Sequence, residues 1–140
     1  MRLLLDTNVV VAGLLWNGAP RKLLDRAVDD ESIELFSSQV LIDELAHTLG
    51  YAKFTKRIMQ SRTSVSNLVT HYQALVRLVS PTDTPRIVPA DVDDDHVVAA
   101  ALAAKADLIV TGDGHLLVLS DYSGIIIATP AEALRMVVAG

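Results

Sequence analysis

The sequence contains no cysteine, which excludes a disulfide-stabilised scaffold and any zinc site built on thiolates. Long hydrophobic runs are also missing: the longest, residues 97–104, spans eight residues, far short of the roughly 20 that a membrane-spanning helix needs. Basic residues are outnumbered, with twelve Lys and Arg against seventeen Asp and Glu and a formal charge of -5. This balance argues against broad electrostatic attachment to nucleic acid.

What the sequence does contain is ample apolar material for a hydrophobic core. The chain has 140 residues, of which 51% are hydrophobic, and this composition excludes an intrinsically disordered chain. The length fits one domain, so we expect a single domain over residues 1–140. Asp6 interrupts the apolar residues near the start before a signal peptide can form, so we expect a cytoplasmic protein.

Short aliphatic runs alternate along the chain with longer helical segments. The runs are continuous in Ile, Leu and Val, as is typical of parallel strands covered on both faces, and they predict strands at residues 2–5, 33–36, 108–111 and 125–128. Helical patterns occupy residues 20–29, 38–49, 61–79 and 94–105. A last helix begins at Pro130, where Thr129 and Glu132 form a capping box. The predicted fold class is α/β, a three-layer α/β/α sandwich with a mostly parallel central sheet.

Four carboxylates stand at positions that favour a binding site. Asp6 and Asp113 follow predicted strands, and parallel sheets bind their ligands beyond the carboxyl ends of the strands. Glu44 and Asp95 border the apolar faces of their helices, where carboxylates are rare unless paired or bound to metal. Oxygen ligands of this kind suit Mg²⁺ or Mn²⁺. The set therefore predicts a metal site able to support phosphodiester hydrolysis.

Each of these acids also has a purely structural explanation. Asp6 could cap the following helix, and Asp113 could belong to a turn. Glu44 could be solvated, and the acidic run at residues 93–95 could complement a helix N-terminus. The four histidines have no second ligand at metal-binding spacing and are interpreted as structural or surface residues: His47, His71, His96 and His115.

Other classes of phosphate-handling and metal-binding protein are excluded because the sequence lacks residues that they require. An EF-hand loop starting at Asp91 would need Gly where His96 stands and Glu where Leu102 stands. A haloacid-dehalogenase-type phosphatase would need a second Asp where Asn8 stands. The sequence has no glycine-rich dinucleotide fingerprint and no P-loop, so a nucleotide cofactor has no support.

Four sequence blocks resemble, in order and spacing, those of the PIN-domain family. They are LLLDTNV around Asp6, SQVLIDEL with Glu44, DDDHVVAA with Asp95, and ADLIVTGD ending at Asp113. The last three are most similar to the VapC-type toxins of toxin–antitoxin pairs. The resemblance implies a Rossmann-like fold, a homodimer, a metal-dependent ribonuclease and, for a toxin, a small antitoxin partner.

The resemblance also implies roles for individual residues. Asp6, Glu44, Asp95 and Asp113 match the acidic quartet that binds the metal and performs catalysis, leaving a 5′-phosphate and a 3′-hydroxyl. Asn8 and Thr111 match supporting polar positions. Because three acids stand in a row, the alignment can slip, and Asp94 is the alternative to Asp95. A different function also stays open, in which a catalytically weak PIN domain serves as an RNA-binding or assembly module.

Positive charge is concentrated in one segment after the Glu44 helix. The cluster consists of Lys53, Lys56, Arg57 and Arg62. It predicts a surface that binds RNA phosphates, with Tyr51 available for base stacking, although a solvated helix face explains the same pattern. Setting the acidic quartet aside leaves thirteen acids against twelve bases. The predicted metal site then accounts for most of the excess of acidic residues.

Overall fold

The computed structural model describes residues 1–82 and 92–139, and of residues 92, 93, 138 and 139 the backbone alone. Its elements, in chain order, are β1 (Arg2–Leu5), α1 (Thr7–Leu15), α2 (Ala19–Asp29), β2 (Glu34–Ser38), α3 (Gln39–Leu49), α4 (Ala52–Gln60), α5 (Val65–Leu75), β3 (Val76–Val79), α6 (Val92–Ala104), β4 (Leu108–Val110), α7 (Gly114–Leu117), β5 (Asp121–Tyr122), β6 (Ile125–Ala128) and α8 (Pro130–Ala139). Among the helices in these ranges, none is long and apolar enough to cross a membrane.

A six-stranded sheet forms the centre of the fold, with the strand order β3-β2-β1-β4-β6-β5. The pairings β1–β2, β1–β4, β2–β3 and β4–β6 are parallel, and the short β5 runs antiparallel to β6. Because the parallel strands share one direction, their carboxyl ends lie along the same edge of the sheet. The prediction of a mostly parallel sheet is confirmed.

The strands bury side chains on both faces of the sheet. Leu3 and Leu5 of β1 belong to a core on one face, together with residues of α1, α2, α3, α5 and α8. Leu4 belongs to a second core on the other face, made largely with α6 and α7. Alternate residues of a strand point to opposite faces, so a continuous aliphatic run serves both cores. The three-layer α/β/α architecture follows and is confirmed.

One predicted helix is wrong at both ends. Residues 61–79 were expected to form a single helix, whereas α5 covers Val65–Leu75 and the chain then enters β3. At the start, Arg62 lies in a turn with a φ of 54°, and Ser64 caps α5 by accepting a hydrogen bond from the backbone N–H of Asn67. At the end, pairing with β2 overrides the helical pattern, because β-branched Val76 and Val79 fit an edge strand.

The capping box at the start of α8 is present as predicted. The backbone N–H of Thr129 donates to the Glu132 carboxylate at 3.1 Å, and the backbone N–H of Glu132 donates to the Thr129 hydroxyl at 3.2 Å. The hydrogen bond from the Thr129 backbone lowers the pKa of Glu132 below its ordinary value. These reciprocal bonds fix the turn between β6 and α8.

Candidate metal centre

The strand order predicts a ligand crevice at the sheet edge between β1 and β4. From β1 the sheet extends through β2 and β3 on one side and through β4 and β6 on the other, so the strand order reverses between β1 and β4. Parallel sheets bind their ligands at such reversals, beyond the carboxyl ends of the strands. Asp6 comes directly after β1 and Thr111 directly after β4, which places both residues at this crevice.

A single hydroxyl group joins two of the predicted site residues. Thr111, which is completely buried, donates a hydrogen bond from Oγ1 to Asp6 Oδ2 at 2.7 Å. The same oxygen accepts a hydrogen bond from the backbone N–H of Asp113 at 3.0 Å. Asp6 stands at the N-cap position of α1 but its side chain makes no capping hydrogen bond. Asp6 is 7% exposed. Its carboxylate therefore accepts a hydrogen bond from Thr111 and makes no capping bond to α1.

Asp94, Asp113 and His115 form a compact group beside this pair. One potential ligand atom from each of the three lies within 4.8 Å of the others. Two oxygen ligands on opposite sides of a Mg²⁺ ion are about 4.2 Å apart, since each bond measures about 2.1 Å. A small inward movement would thus allow the three side chains to share one divalent ion.

Asp113 orders the loop that carries His115. Its Oδ1 atom accepts a hydrogen bond from the backbone N–H of His115 at 2.7 Å, which caps the short helix α7. The same oxygen lies 3.5 Å from Nδ1 of the His115 ring. The turn interpretation of Asp113 is therefore correct in part, because one oxygen does cap a turn while the residue also belongs to the group.

The structure brings Asp94, and not Asp95, into the group with Asp113. Both residues lie in the first turn of α6 and both are buried, at 4% and 0% exposure. Successive residues of an α-helix point about 100° apart, so the two side chains leave the helix in different directions. The sequence favoured Asp95 and kept Asp94 as its alternative. The side chain of Asp93, the third acid of this run, lies outside the described residues.

Glu44 and Asn8 lie on the neighbouring helices and are not members of the group of three. Glu44 is half-buried on α3, its Oε2 atom is shielded from solvent, and α3 packs against α6. Asn8 is exposed in the first turn of α1, two residues after Asp6. The site roles predicted for Glu44 and Asn8 therefore stay predictions.

The donor chemistry of this crevice fits a divalent cation. Its side chains offer carboxylate oxygens and one imidazole, a set that Mg²⁺, Mn²⁺ and related ions accept. Asp6, Asp94 and Asp95 are each at most 7% exposed. Burying several carboxylates close together is unfavourable because the charges repel, and a divalent cation offsets that repulsion.

The sequence comparison agrees with this geometry. A family model for the PIN domain matches residues 2–115. The chain belongs to the PIN-domain family. The match begins at β1 and ends at His115, so it contains every residue of the crevice described above. PIN domains are generally metal-dependent nucleases that bind a divalent ion. Neither the curated proteins nor the solved structures gave a match.

His115 is the member of the group of three in this PIN domain that the sequence did not predict. It was interpreted as a structural or surface residue because no second ligand was recognised at metal-binding spacing. Its partners are carboxylates, one of them only two residues earlier in the chain. The signal available in the sequence was the position of His115 two residues after Asp113. That the ring also lies near Asp94 depends on the turn of α7 and could not be seen in the sequence.

The basic residues predicted to contact RNA divide into two kinds. Lys53, Lys56 and Arg62 are exposed. Arg57 is half-buried, donates a hydrogen bond from Nε to the carbonyl of Leu15 at 2.7 Å, and lies over the Trp16 ring at 5.8 Å. Arg57 thus helps to satisfy the carbonyl groups that end α1. Its side chain is engaged within the PIN domain, while the other three face solvent.

Proposed function

We propose that this PIN domain is a Mg²⁺- or Mn²⁺-dependent endoribonuclease. The observation that carries the proposal is the convergence at one crevice of the Asp94, Asp113 and His115 group with Asp6, which Thr111 links to Asp113. An acidic group at the carboxyl edge of the sheet has little use in a protein that only binds RNA, because it repels the phosphates unless a cation is bound.

In this proposal the side chains hold and orient the reacting groups. Asp6, Asp94 and Asp113 bind the metal, and Glu44 binds it directly or through water. Thr111 fixes the orientation of Asp6 by its hydrogen bond, and Asp95 stays the alternative to Asp94. A bound divalent ion would supply a water of lowered pKa and would offset the charge that develops on the phosphate. In-line attack of water on the phosphorus, with cleavage of its bond to the 3′-oxygen, would leave a 5′-phosphate and a 3′-hydroxyl.

In narrower terms, we propose that the protein is the toxin of a toxin–antitoxin pair, acting in the cytoplasm as a homodimer. The support for this is the similarity of three sequence blocks to VapC-type toxins. A small antitoxin would block the crevice. A short basic or DNA-binding protein encoded in the adjacent reading frame is the partner to test, and co-purification with loss of RNA cleavage is the expected result.

Removal of divalent metal should abolish RNA cleavage. We expect purified protein to cleave single-stranded RNA in Mg²⁺ or Mn²⁺, to stop when EDTA is added, and to recover when metal is restored in excess. End analysis should find 5′-phosphates and 3′-hydroxyls. Cleavage that continues in EDTA would contradict the proposal. RNA binding without metal-dependent cleavage would instead support the RNA-binding module.

The exposed lysines should contribute to RNA affinity, and Arg57 to stability. Lys53→Ala combined with Lys56→Ala removes two charges from the solvent-facing side of α4, so we expect weaker RNA binding. The slope of log affinity against log salt concentration should also become shallower, by the amount that corresponds to about two phosphate contacts. Arg57→Ala should instead lower the free energy of unfolding by about 1–3 kcal/mol, because a buried carbonyl loses its donor. Filter binding across a salt series and urea unfolding measure the two effects. An unchanged salt dependence in the double variant would exclude these lysines from the RNA surface.

A further inference from the structure

One nitrogen donor stands among the carboxylates of the candidate metal centre. Mg²⁺ takes oxygen ligands almost exclusively and keeps several waters. Imidazole nitrogen favours first-row transition ions, whose affinity for such sites exceeds that of Mg²⁺. The presence of His115 beside Asp94 and Asp113 therefore bears on which ion this crevice selects.

The backbone of His115 is held by a hydrogen bond, whereas its ring is not held by core packing. The backbone N–H of His115 donates a hydrogen bond to Asp113 Oδ1 at 2.7 Å. This bond fixes the backbone of His115 relative to the loop after β4. The side chain is 64% exposed, so the ring can turn towards an ion without breaking a packed interior. Its ligand atom already lies within 4.8 Å of those of Asp94 and Asp113.

We propose that His115 donates a ring nitrogen to the metal ion and that this ligand makes the centre bind Mn²⁺ in preference to Mg²⁺. The inference rests on the metal site of the proposed function and adds a ligand and an ion selectivity to it. Asp94 and Asp113 supply charge that attracts either ion. The imidazole adds a bond that Mn²⁺ forms readily and Mg²⁺ does not.

Pulsed electron paramagnetic resonance of the Mn²⁺-loaded protein tests the nitrogen ligand directly. At about pH 8, where an ordinary imidazole is neutral, the wild type should show modulation from a directly coordinated ¹⁴N nucleus. His115→Asn should remove the nitrogen signal that is typical of imidazole. His71→Asn is the matched control, because His71 is exposed on α5 and outside the group, and it should leave the signal intact. A signal that survives in His115→Asn would overturn the proposal.

Calorimetric titration with Mn²⁺ and with Mg²⁺ tests the selectivity. His115→Asn should weaken Mn²⁺ binding by at least about tenfold and leave Mg²⁺ binding within about twofold, so the preference for Mn²⁺ falls. Equal losses for both ions, or none, would contradict the proposed selectivity. Neither measurement uses RNA. If Asp113→Asn abolishes Mn²⁺ binding and His115→Asn does not change it, the metal site stands and the role of His115 fails.

Discussion

Asp6→Asn should abolish RNA cleavage, with a loss of rate of at least about a thousandfold, while the fold is preserved. Asn has the shape of Asp, and its amide oxygen can still accept the hydrogen bond that Thr111 donates to Asp6 Oδ2. What disappears is the negative charge that would bind the metal. Because burial of a carboxylate is itself unfavourable, we expect the variant to be at least as stable as the wild type. Cleavage of a labelled RNA under single-turnover conditions measures the loss, and thermal unfolding checks the fold.

Asp29→Asn is the matched control for this variant. Asp29 is the last residue of α2 and its side chain is exposed, so the substitution makes the same change in net charge away from the crevice. Its cleavage rate should remain within about twofold of the wild type. If Asp6→Asn cleaved RNA as fast as Asp29→Asn, Asp6 would not be a metal ligand and the nuclease proposal would fail.

The residues at strand ends could be predicted from the sequence because the sheet is parallel. Runs of Ile, Leu and Val identified β1 and β4, and the shared direction of parallel strands then brings Asp6 and Asp113 to one edge. No contact had to be known for this step. Thr111 was predicted as a supporting residue through the resemblance to the PIN-domain family, although its hydrogen bond to Asp6 became visible only in the structure.

The rotation of α6 could not be predicted in the same way. A helix shows its orientation in the sequence when one face is apolar and the other polar. In α6 all five residues from Val97 to Ala101 are buried, so the apolar residues surround the helix and indicate no direction. Packing against β1, β2, β4 and α3 decides which acid faces the crevice. A pattern of this kind does not distinguish two neighbouring residues such as Asp94 and Asp95.

β3 and α7 were missed for related reasons. β3 is an edge strand in which Arg77 and Leu78 are exposed, so it has little of the aliphatic continuity that identified the central strands. α7 is a single turn held by Asp113, whose side chain caps it. A short turn of this kind leaves no periodic pattern, and the position of His115 depends on it entirely.

Asp94→Asn and Asp95→Asn should separate the two acids that the sequence could not distinguish. We expect Asp94→Asn to weaken Mn²⁺ binding and to slow RNA cleavage by at least about a hundredfold each, because its oxygen lies with Asp113 and His115. Asp95→Asn should change Mn²⁺ affinity by less than about tenfold. Both substitutions preserve shape at buried positions, so each serves as the control for the other.

Calorimetry with Mn²⁺ and single-turnover cleavage should be measured on the same preparations, with thermal unfolding to show that both variants are folded. Metal affinity is the decisive quantity, because a loss of cleavage alone could arise from a shift of α6 within its packed layer. A loss of Mn²⁺ affinity confined to Asp95→Asn would contradict the place given to Asp94. Since neighbouring helical residues point about 100° apart, that result would require α6 to turn by roughly this angle when the metal binds. The five consecutive buried residues of α6 from Val97 to Ala101 oppose such a turn, and this is the physical reason to expect that Asp94 holds the ion.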